Sequence, residues 1–421
     1  MNRKGMMTMA VFALAAWVAV CAAPVPQNVP ALMTCEDGSS VGDVATWEGK
    51  RRAEIREFFT REVYGRRPVG RPADLRFEAV EPDRTMMDGT ALRKRIRASW
   101  TGPHGAWSFV FTAFIPKSAV AGGAPAPAFL LVCNRSPDGN IDPTRVKKSD
   151  FWPAEEIVAR GYAALAFYNG DLAQDKRNPA GTNGVYRIDG PRGEDGWGAL
   201  SAWAWGASRV MDWIETEPTL DAKHVGVVGH SRGGKTALLA GVTDPRFAMA
   251  CSNDSGCSGA KLNHIKLPKS ESVAAITRAF RHWFSPAYGK WAGRELEMPY
   301  DQHAWIALMA PRLVAVGSAT KDDWAGQLGE FHAARLASPA WELYGRKGLV
   351  APETPPTVGD RPADGLVCQD GFVSYHIRTG AHTLAAYDWH RYMDFADRHG
   401  WRAAAGGRRG GSDGPRFALE R

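Results

Sequence analysis

One stretch of the chain combines residue types that can activate a hydroxyl for attack. In Val225-Gly226-Val227-Val228-Gly229-His230-Ser231-Arg232-Gly233-Gly234-Lys235, a short apolar run enters a G-x-S-x-G pattern at residues 229–233, and an Ala/Leu-rich run from Lys235 to Val242 leaves it. In a chain with 45 glycines the pattern alone is weak, and its setting gives it weight. A buried strand turning sharply into a helix exposes the serine hydroxyl at the carboxyl end of a sheet, and the turn needs glycines where backbones approach closely. The following helix N-terminus offers free N–H groups and a positive dipole end to a developing oxyanion.

A serine hydroxyl is a weak nucleophile until a base takes its proton, so a histidine should follow. Five candidates lie beyond the apolar run Leu313–Val316: His332, His376, His382, His390 and His399. His332 falls in a helical pattern, His390 and His399 in the last helix, and His376 inside a strand pattern from Phe372 to Ile377. His382 alone occupies a loop after a strand, in Arg378-Thr379-Gly380-Ala381-His382, and is taken as the general base. The acid has two candidates. Asp322, with Asp323 beside it, follows Leu313–Val316; Asp254 follows Ala248–Ser252, one strand earlier. Either carboxylate could orient an imidazole and stabilise its charged form, and position favours Asp322.

These residues need a scaffold, and the pattern around them supplies one. Strands are expected at Leu75–Val80, Leu92–Ala98, Trp107–Ile115, Ala128–Cys133, Tyr162–Phe167, Val225–Val228, Ala248–Ser252, Leu313–Val316 and Phe372–Ile377. Helical stretches are expected at Trp47–Val63 and around Ala154–Arg160, and between the later strands. From residue 162 onward helix and strand alternate, and the runs are continuously apolar rather than alternating, which indicates a mostly parallel sheet covered by helices on both faces. The expected organisation is a signal peptide over 1–22, an N-terminal linker or ordered lead-in over 23–44, a catalytic α/β domain over 45–402 and a basic, Gly-rich disordered tail over 403–421.

The formal charge of +7 sits mainly at the ends. Arg3 and Lys4 belong to the n-region of the signal peptide, and the tail from Arg402 carries five Arg against one Asp and one Glu. About +2 remains for the body, too little for a nucleic-acid surface. Met6–Val20 is too short for a comfortable membrane span and Val20-Cys21-Ala22 fits a cleavage site, so a secreted or periplasmic location is expected, with lipidation of Cys21 the lesser alternative. Cleavage there leaves five cysteines, an odd number, and their spacing matches no zinc pattern. No metal, cofactor or nucleic-acid partner is expected, and no oligomer beyond the monomer. The 16 tryptophans suit either a carbohydrate-binding surface or a bulky core.

Several ordered blocks carry a more specific signal: Val63-Tyr64-Gly65-Arg66-Arg67-Pro68, Tyr168-Asn169-Gly170-Asp171, Trp203-Ala204-Trp205-Gly206-Ala207-Ser208-Arg209, the serine turn with Lys235, Asn253-Asp254-Ser255-Gly256, Asp301-Gln302-His303 with Ala310-Pro311-Arg312, Asp322-Asp323-Trp324-Ala325, and Tyr375-His376-Ile377-Arg378 leading to His382. From about Trp47 to Phe395 the chain resembles the bacterial glucuronoyl esterases, carbohydrate esterase family 15. The resemblance implies an α/β-hydrolase fold and hydrolysis of esters between (4-O-methyl)glucuronic acid on xylan and lignin alcohols. It further implies that Arg232 stabilises the oxyanion, that Lys235 holds sugar hydroxyls, and that Trp324 packs on the sugar face, with Glu271 a further contact. Many relatives carry Glu where Asp254 stands, so the shorter side chain here adds to the case for Asp322. His230 replaces the cysteine of fungal members, so their disulfide should be absent. The competing readings are another carbohydrate esterase, such as an acetyl xylan esterase, and an inactive carbohydrate-binding relative. A neutral acyl group would leave Arg232 and Lys235 without an anionic or polyhydroxylated partner, and the intact Ser231, His382 and two acids argue against loss of activity.

Overall fold

The computed structural model describes residues 26, 28–67, 70–176, 185, 192–352 and 355–402. The expected signal peptide, Cys21 and the tail from 403 lie outside the described residues.

The strands are β1 (Arg76–Ala79), β2 (Arg84–Met86), β3 (Ala91–Gly102), β4 (Gly105–Pro116), β5 (Ala126–Cys133), β6 (Ala163–Tyr168), β7 (Leu220–His230), β8 (Met249–Asn253), β9 (Leu313–Ala319), a small hairpin of β10 (Thr357–Val358) and β11 (Arg361–Pro362), then β12 (Val367–Cys368) and β13 (Val373–Arg378). The large sheet has the order β1-β3-β4-β6-β5-β7-β8-β9-β13-β12, with β2 beside β3. Its centre, from β6 to β13, is parallel, and antiparallel strands close both edges. All of β5 is buried, and its side chains alternate between two cores. Leu130 and Val132 face one, while Phe129, Leu131 and Cys133 face the other.

Helices α1 (Arg52–Phe58), α3 (Ala199–Ile214), α4 (Arg232–Thr243) and α5 (Gln327–Leu336) contribute to the first core, and α2 (Ala154–Ala159) and α6 (Ala386–Arg398) to the second. This is the three-layer arrangement read from the alternation of runs. The tryptophans divide clearly: Trp47, Trp152, Trp203, Trp205, Trp305, Trp341 and Trp389 are fully buried fillers, whereas Trp324 is 48 % exposed.

Three strands run well beyond the sequence expectation, and β2, β10, β11 and β12 were not expected at all. β7 begins at Leu220 rather than Val225, because Asp221-Ala222-Lys223-His224 is too polar to read as a strand. β3 and β4 form one long hairpin, paired from Ala91↔Pro116 to Gly102↔Gly105, whose far end is too exposed and polar to carry an apolar signal. Of the two readings of the lead-in, residues 28–43 fit the ordered one. Leu32, Cys35 and Val41 are buried, and Arg51 donates to the carbonyls of Leu32 (2.9 Å) and Ala31 (2.8 Å).

Candidate active site

Four adjacent parallel strands, β7, β8, β9 and β13, end at one edge, and each is followed by a candidate residue. The register makes this unavoidable: His230 lies beside Asn253, Asn253 beside Gly317, and Ala319 beside Arg378. Ser231, Asp254, Asp322 and His382 therefore emerge together, at the carboxyl ends where ligands bind in open α/β sheets.

Ser231 joins β7 to α4 with φ 56° and ψ −124°, a conformation costly for a side chain with a Cβ. Its N–H donates to the Asn253 carbonyl at 2.8 Å, which pins the strained turn to β8. Gly229 shows why the turn needs glycine, since a Cβ there would sit 1.9 Å from the Gly233 carbonyl oxygen. Arg232 starts α4, so its N–H is among the first-turn donors that a helix leaves free.

His382 sits exposed in the loop after β13. Its Nδ1 is 2.5 Å from Asp322 Oδ2, and Asp322 is 4 % exposed. Arg378 donates to the carbonyls of Ala381 (2.8 Å) and Thr383, and to Asp388 (2.8 Å), which fixes the loop from beneath. Lys321 N–H reaches the Gly380 carbonyl at 2.8 Å, tying the base loop to the acid loop. The His382 ring lies 4.3 Å, centre to centre, from the ring of His230, the residue just before Ser231. With Nδ1 on a carboxylate, Nε2 is the nitrogen left to exchange a proton with a hydroxyl. The other histidines have structural settings: His376 bonds Asp388 (2.9 Å), His390 bonds Glu156 (2.7 Å), His399 bonds the Gly371 carbonyl (3.0 Å), and His332 is buried in α5.

Asp254 is placed differently. It is buried, and neither carboxyl oxygen has a hydrogen-bond partner. Arg378 comes no closer than 3.6 Å and His230 no closer than 3.8 Å. Burial first, then the charges of Asp388, Asp322 and Glu330, push its pKa well above the carboxylate range, and Arg378 opposes this only in part. The surroundings thus favour the neutral acid. His230 is also neutral, since burial first and His382 second drive its pKa well down; its Nδ1 meets Asn253 Oδ1 at 2.7 Å and its buried Nε2 has no partner. Ligating atoms of His230, Asp254 and His382 lie within 4.8 Å of one another. A cation there would engage the base itself.

The remaining candidates form two networks. Arg232 Nε is 2.5 Å from Asp175 Oδ2, and its Nη2 donates to the Asn134 carbonyl at 2.8 Å. Asp175 also accepts from His282 (2.8 Å) and the Trp283 indole (2.6 Å). Burial alone would raise the Asp175 carboxyl, but the bond from His282, the Arg232 charge and the Trp283 bond outweigh it and hold it below the usual range. In the second network Lys235, Glu271 and Trp324 are linked in series. Lys235 Nζ meets Glu271 Oε2 at 3.0 Å, and Glu271 Oε1 accepts from the Trp324 indole at 2.9 Å. Lys235 also donates to the carbonyls of Ser255 (2.5 Å) and Cys257 (2.6 Å). All three ammonium protons are thus engaged, and the lysine is buried, so a sugar hydroxyl would have to displace a partner to reach it. Glu271 is as buried as the lysine, and the exposed Trp324 is the open member of the series.

Sequence reasoning missed Asp175, His282 and Glu330. Glu330 is buried in α5 and accepts from the N–H groups of Ser255 (2.8 Å) and Gly256 (2.9 Å) and from Ser318 Oγ (2.6 Å). A Glu within the apolar stretch Leu328-Gly329-Glu330-Phe331 was its available signal. The five described cysteines are free and buried; there is no disulfide at position 230.

Comparison with known proteins gives concordant results. A family model described as glucuronyl esterase, fungi, matches residues 148–345. A carbohydrate esterase designated MZ0003, from an unknown prokaryotic organism, is 34% identical over 410 residues, covering 90% of this chain and 91% of its own. A 4-O-methyl-glucuronoyl methylesterase of Podospora anserina is 29% identical over 54% of this chain and 49% of its own. The solved glucuronoyl esterase from Solibacter usitatus superposes with a TM-score of 0.76 at 33% identity, over 88% of this chain and 97% of its own.

Proposed function

Because the chain belongs to carbohydrate esterase family 15, the glucuronoyl esterases, we propose that it hydrolyses esters of glucuronic or 4-O-methylglucuronic acid on xylan with lignin alcohols, through an acyl-enzyme on Ser231. His382 Nε2 takes the Ser231 proton as the hydroxyl attacks the ester carbonyl, then delivers it to the departing alkoxide. A water attacks the acyl-enzyme by the same route in reverse, releasing the free uronate and restoring the serine. Asp322 is the acid: it accepts from Nδ1 and offsets the imidazolium charge while that charge exists. Arg232, together with its own N–H at the start of α4, faces the developing oxyanion. Trp324 and Glu271 contact the sugar, and Lys235 holds Glu271 in place from below. Metal assistance is not part of this mechanism, since an ion bound by His230, Asp254 and His382 would occupy the general base.

The observation that carries the assignment of roles is the 2.5 Å contact between His382 and Asp322 beside a strained serine turn. The substrate choice rests on the family, and the cationic Arg232 beside Ser231 suits an acyl group of high polarity. Secretion is part of the same reading, as the site of an extracellular polysaccharide ester demands. The test is turnover of benzyl glucuronate against a neutral acetylated xylan. Preference of at least about 100-fold for the glucuronate ester in kcat/KM is expected; equal or reversed preference would assign the chain to the acetyl xylan esterases instead.

A further inference from the structure

Tyr64, Gly65, Arg66 and Arg67 play no part in the mechanism above, yet they line a second cavity. This cavity, of about 460 Å³, lies between α1, the turn at Gly65–Arg67, α3 and the carboxyl end of α4. Ser231 stands at the opposite end of that helix, about 18 Å away for its twelve residues. The two sites are separate.

The lining charge is unbalanced. Arg56, Arg66 and Arg67 face a single carboxylate, Glu57. Arg66 is already committed, to Glu57 at 2.6 Å and Asp195 at 3.1 Å. Among the described residues, neither Arg56 nor Arg67 has a hydrogen bond or ion pair to a carboxylate, although both line the cavity. The charges near them are engaged elsewhere: Arg209 with Asp212 at 2.6 Å, Asp244 with Arg246 at 2.7 Å, and Arg52 with Glu48 at 3.2 Å. Burial first, then Arg209, pulls the Arg67 pKa down to about 10, against a weaker pull from Asp244; burial and then Arg52 lower that of Arg56. Arg67, the half-buried one of the two, is costly without a counter-charge, and an anion in the cavity would remove that cost.

Capping of α4 does not account for these arginines. Among its last carbonyls, Gly241 accepts from Arg312 (2.7 Å) and Ala240 from the Asp244 N–H (2.9 Å). The presenting turn is rigid. Gly65 has φ +86°, and a Cβ there would lie 2.2 Å from the Gly196 carbonyl oxygen. The flanking N–H of Gly198 bonds the Tyr64 carbonyl at 2.9 Å, and that of Arg66 bonds the Asp195 carbonyl at 2.6 Å. Two guanidinium forks that, among the described residues, have no carboxylate partner match the planar two-oxygen geometry of a carboxylate.

We propose that this cavity is a second, non-catalytic site for a carboxylate-bearing sugar, a free uronate of an acidic polysaccharide, held through Arg56 and Arg67. The oxyanion chemistry is shared with inorganic phosphate. The uronate is chosen because 460 Å³ lies in the range of pockets for small organic ligands, about 300–1,000 Å³, with Thr60 and Glu57 available to sugar hydroxyls. It is chosen also on the glucuronoyl-ester reading, which supplies a substrate polymer bearing uronates. Docking one uronate here would keep the enzyme on a chain while esters are cleaved at Ser231.

The test is affinity electrophoresis of the full chain in glucuronoxylan and in uronate-free xylan, comparing wild type with Arg56→Gln/Arg67→Gln. Retardation confined to glucuronoxylan, weakened at least tenfold in the double variant, is expected, with kcat/KM on benzyl glucuronate unchanged within about twofold. Equal retardation of wild type and variant would overturn the proposal. So would competition by inorganic phosphate as effective as by glucuronate, which would make the cavity a general oxyanion site. If the double variant does not fold, Arg56→Gln alone, at an exposed helix position, must still weaken retardation at least threefold. Failure of wild type to cleave benzyl glucuronate would refute the glucuronoyl reading while leaving the polymer-binding measurement intact.

Discussion

Two histidine–aspartate pairs stand side by side at the carboxyl edge of the sheet, and they have opposite chemistry. His382 and Asp322 share a 2.5 Å contact, with the ring exposed and the carboxylate enclosed. His230 and Asp254 come no closer than 3.8 Å, and both side chains are buried. In the first pair a charged imidazolium has a partner ready. In the second, burial favours the unprotonated histidine and the protonated aspartate. The same two residue types, a few ångströms apart, are thus sorted by solvation and hydrogen bonding. The environment decides which carboxylate can serve as a triad acid.

The harshest way to break this comparison is to remove the charged pair's function. Ser231→Ala and His382→Ala should each lower kcat for benzyl glucuronate by at least about four orders of magnitude. Thermal unfolding should stay close to wild type, because His382 is exposed and Ser231 sits at the sheet edge. Turnover near wild type in either purified variant would refute the mechanism.

The comparison itself is read most directly in the two aspartates. Asp322→Asn should cost about three to four orders of magnitude in kcat, through the wrong imidazole tautomer and the lost charge. Asp254→Asn should cost less than about tenfold, because its carboxyl oxygens have no hydrogen-bond partners to lose. A severe loss confined to Asp254→Asn would reverse the assignment of the two pairs.

A third carboxylate sharpens the contrast. Asp175 is held ionised by the cations and donors around it, and its partner is Arg232. Asp175→Asn keeps the shape and removes the charge that aims the guanidinium. We expect a loss of about 10- to 100-fold in kcat, less than the 10²–10³ for deleting an oxyanion donor outright, with KM changed less than about threefold. An increase in KM at constant kcat would mean that Asp175 positions substrate rather than Arg232.

Much of this arrangement was legible in the sequence, and the gaps have physical causes. The strand–serine–helix turn was readable because close backbone contact leaves a glycine signature at residues 229, 233 and 234. His382 was readable by its loop position. The choice between Asp322 and Asp254 was only weakly readable, since both follow apolar strands and burial of a carboxyl leaves no local mark. Asp175 and His282 lie 107 residues apart, and no spacing rule joins them. Lys235 illustrates the opposite limit: its position on the first turn of α4 was evident, but the two carbonyls and the carboxylate that engage its protons come from a loop folded back over it.

The smallest expected effect concerns Glu330, buried like Asp254 but fully hydrogen-bonded. Burial raises its pKa from 4.5 to about 7, although the Ser318 hydroxyl and the N–H groups of Gly256 and Ser255 favour the charged form. The unfolded chain releases this proton near the ordinary value, so between about 4.5 and 7 the folded state binds a proton that the unfolded state does not. Its contribution to stability is therefore fullest below about pH 4.5 and is lost as pH rises through 7, a change on the order of 3 kcal/mol. Glu330→Gln cannot titrate. Its amide oxygen can keep the two backbone N–H bonds, and its NH₂ can face Ser318, whose hydroxyl turns to accept. Urea unfolding of the two proteins from pH 5 to 8 should show the variant gaining stability relative to wild type as pH rises. A constant difference across that range would mean that Glu330 does not change protonation between pH 5 and 8, against the raised value.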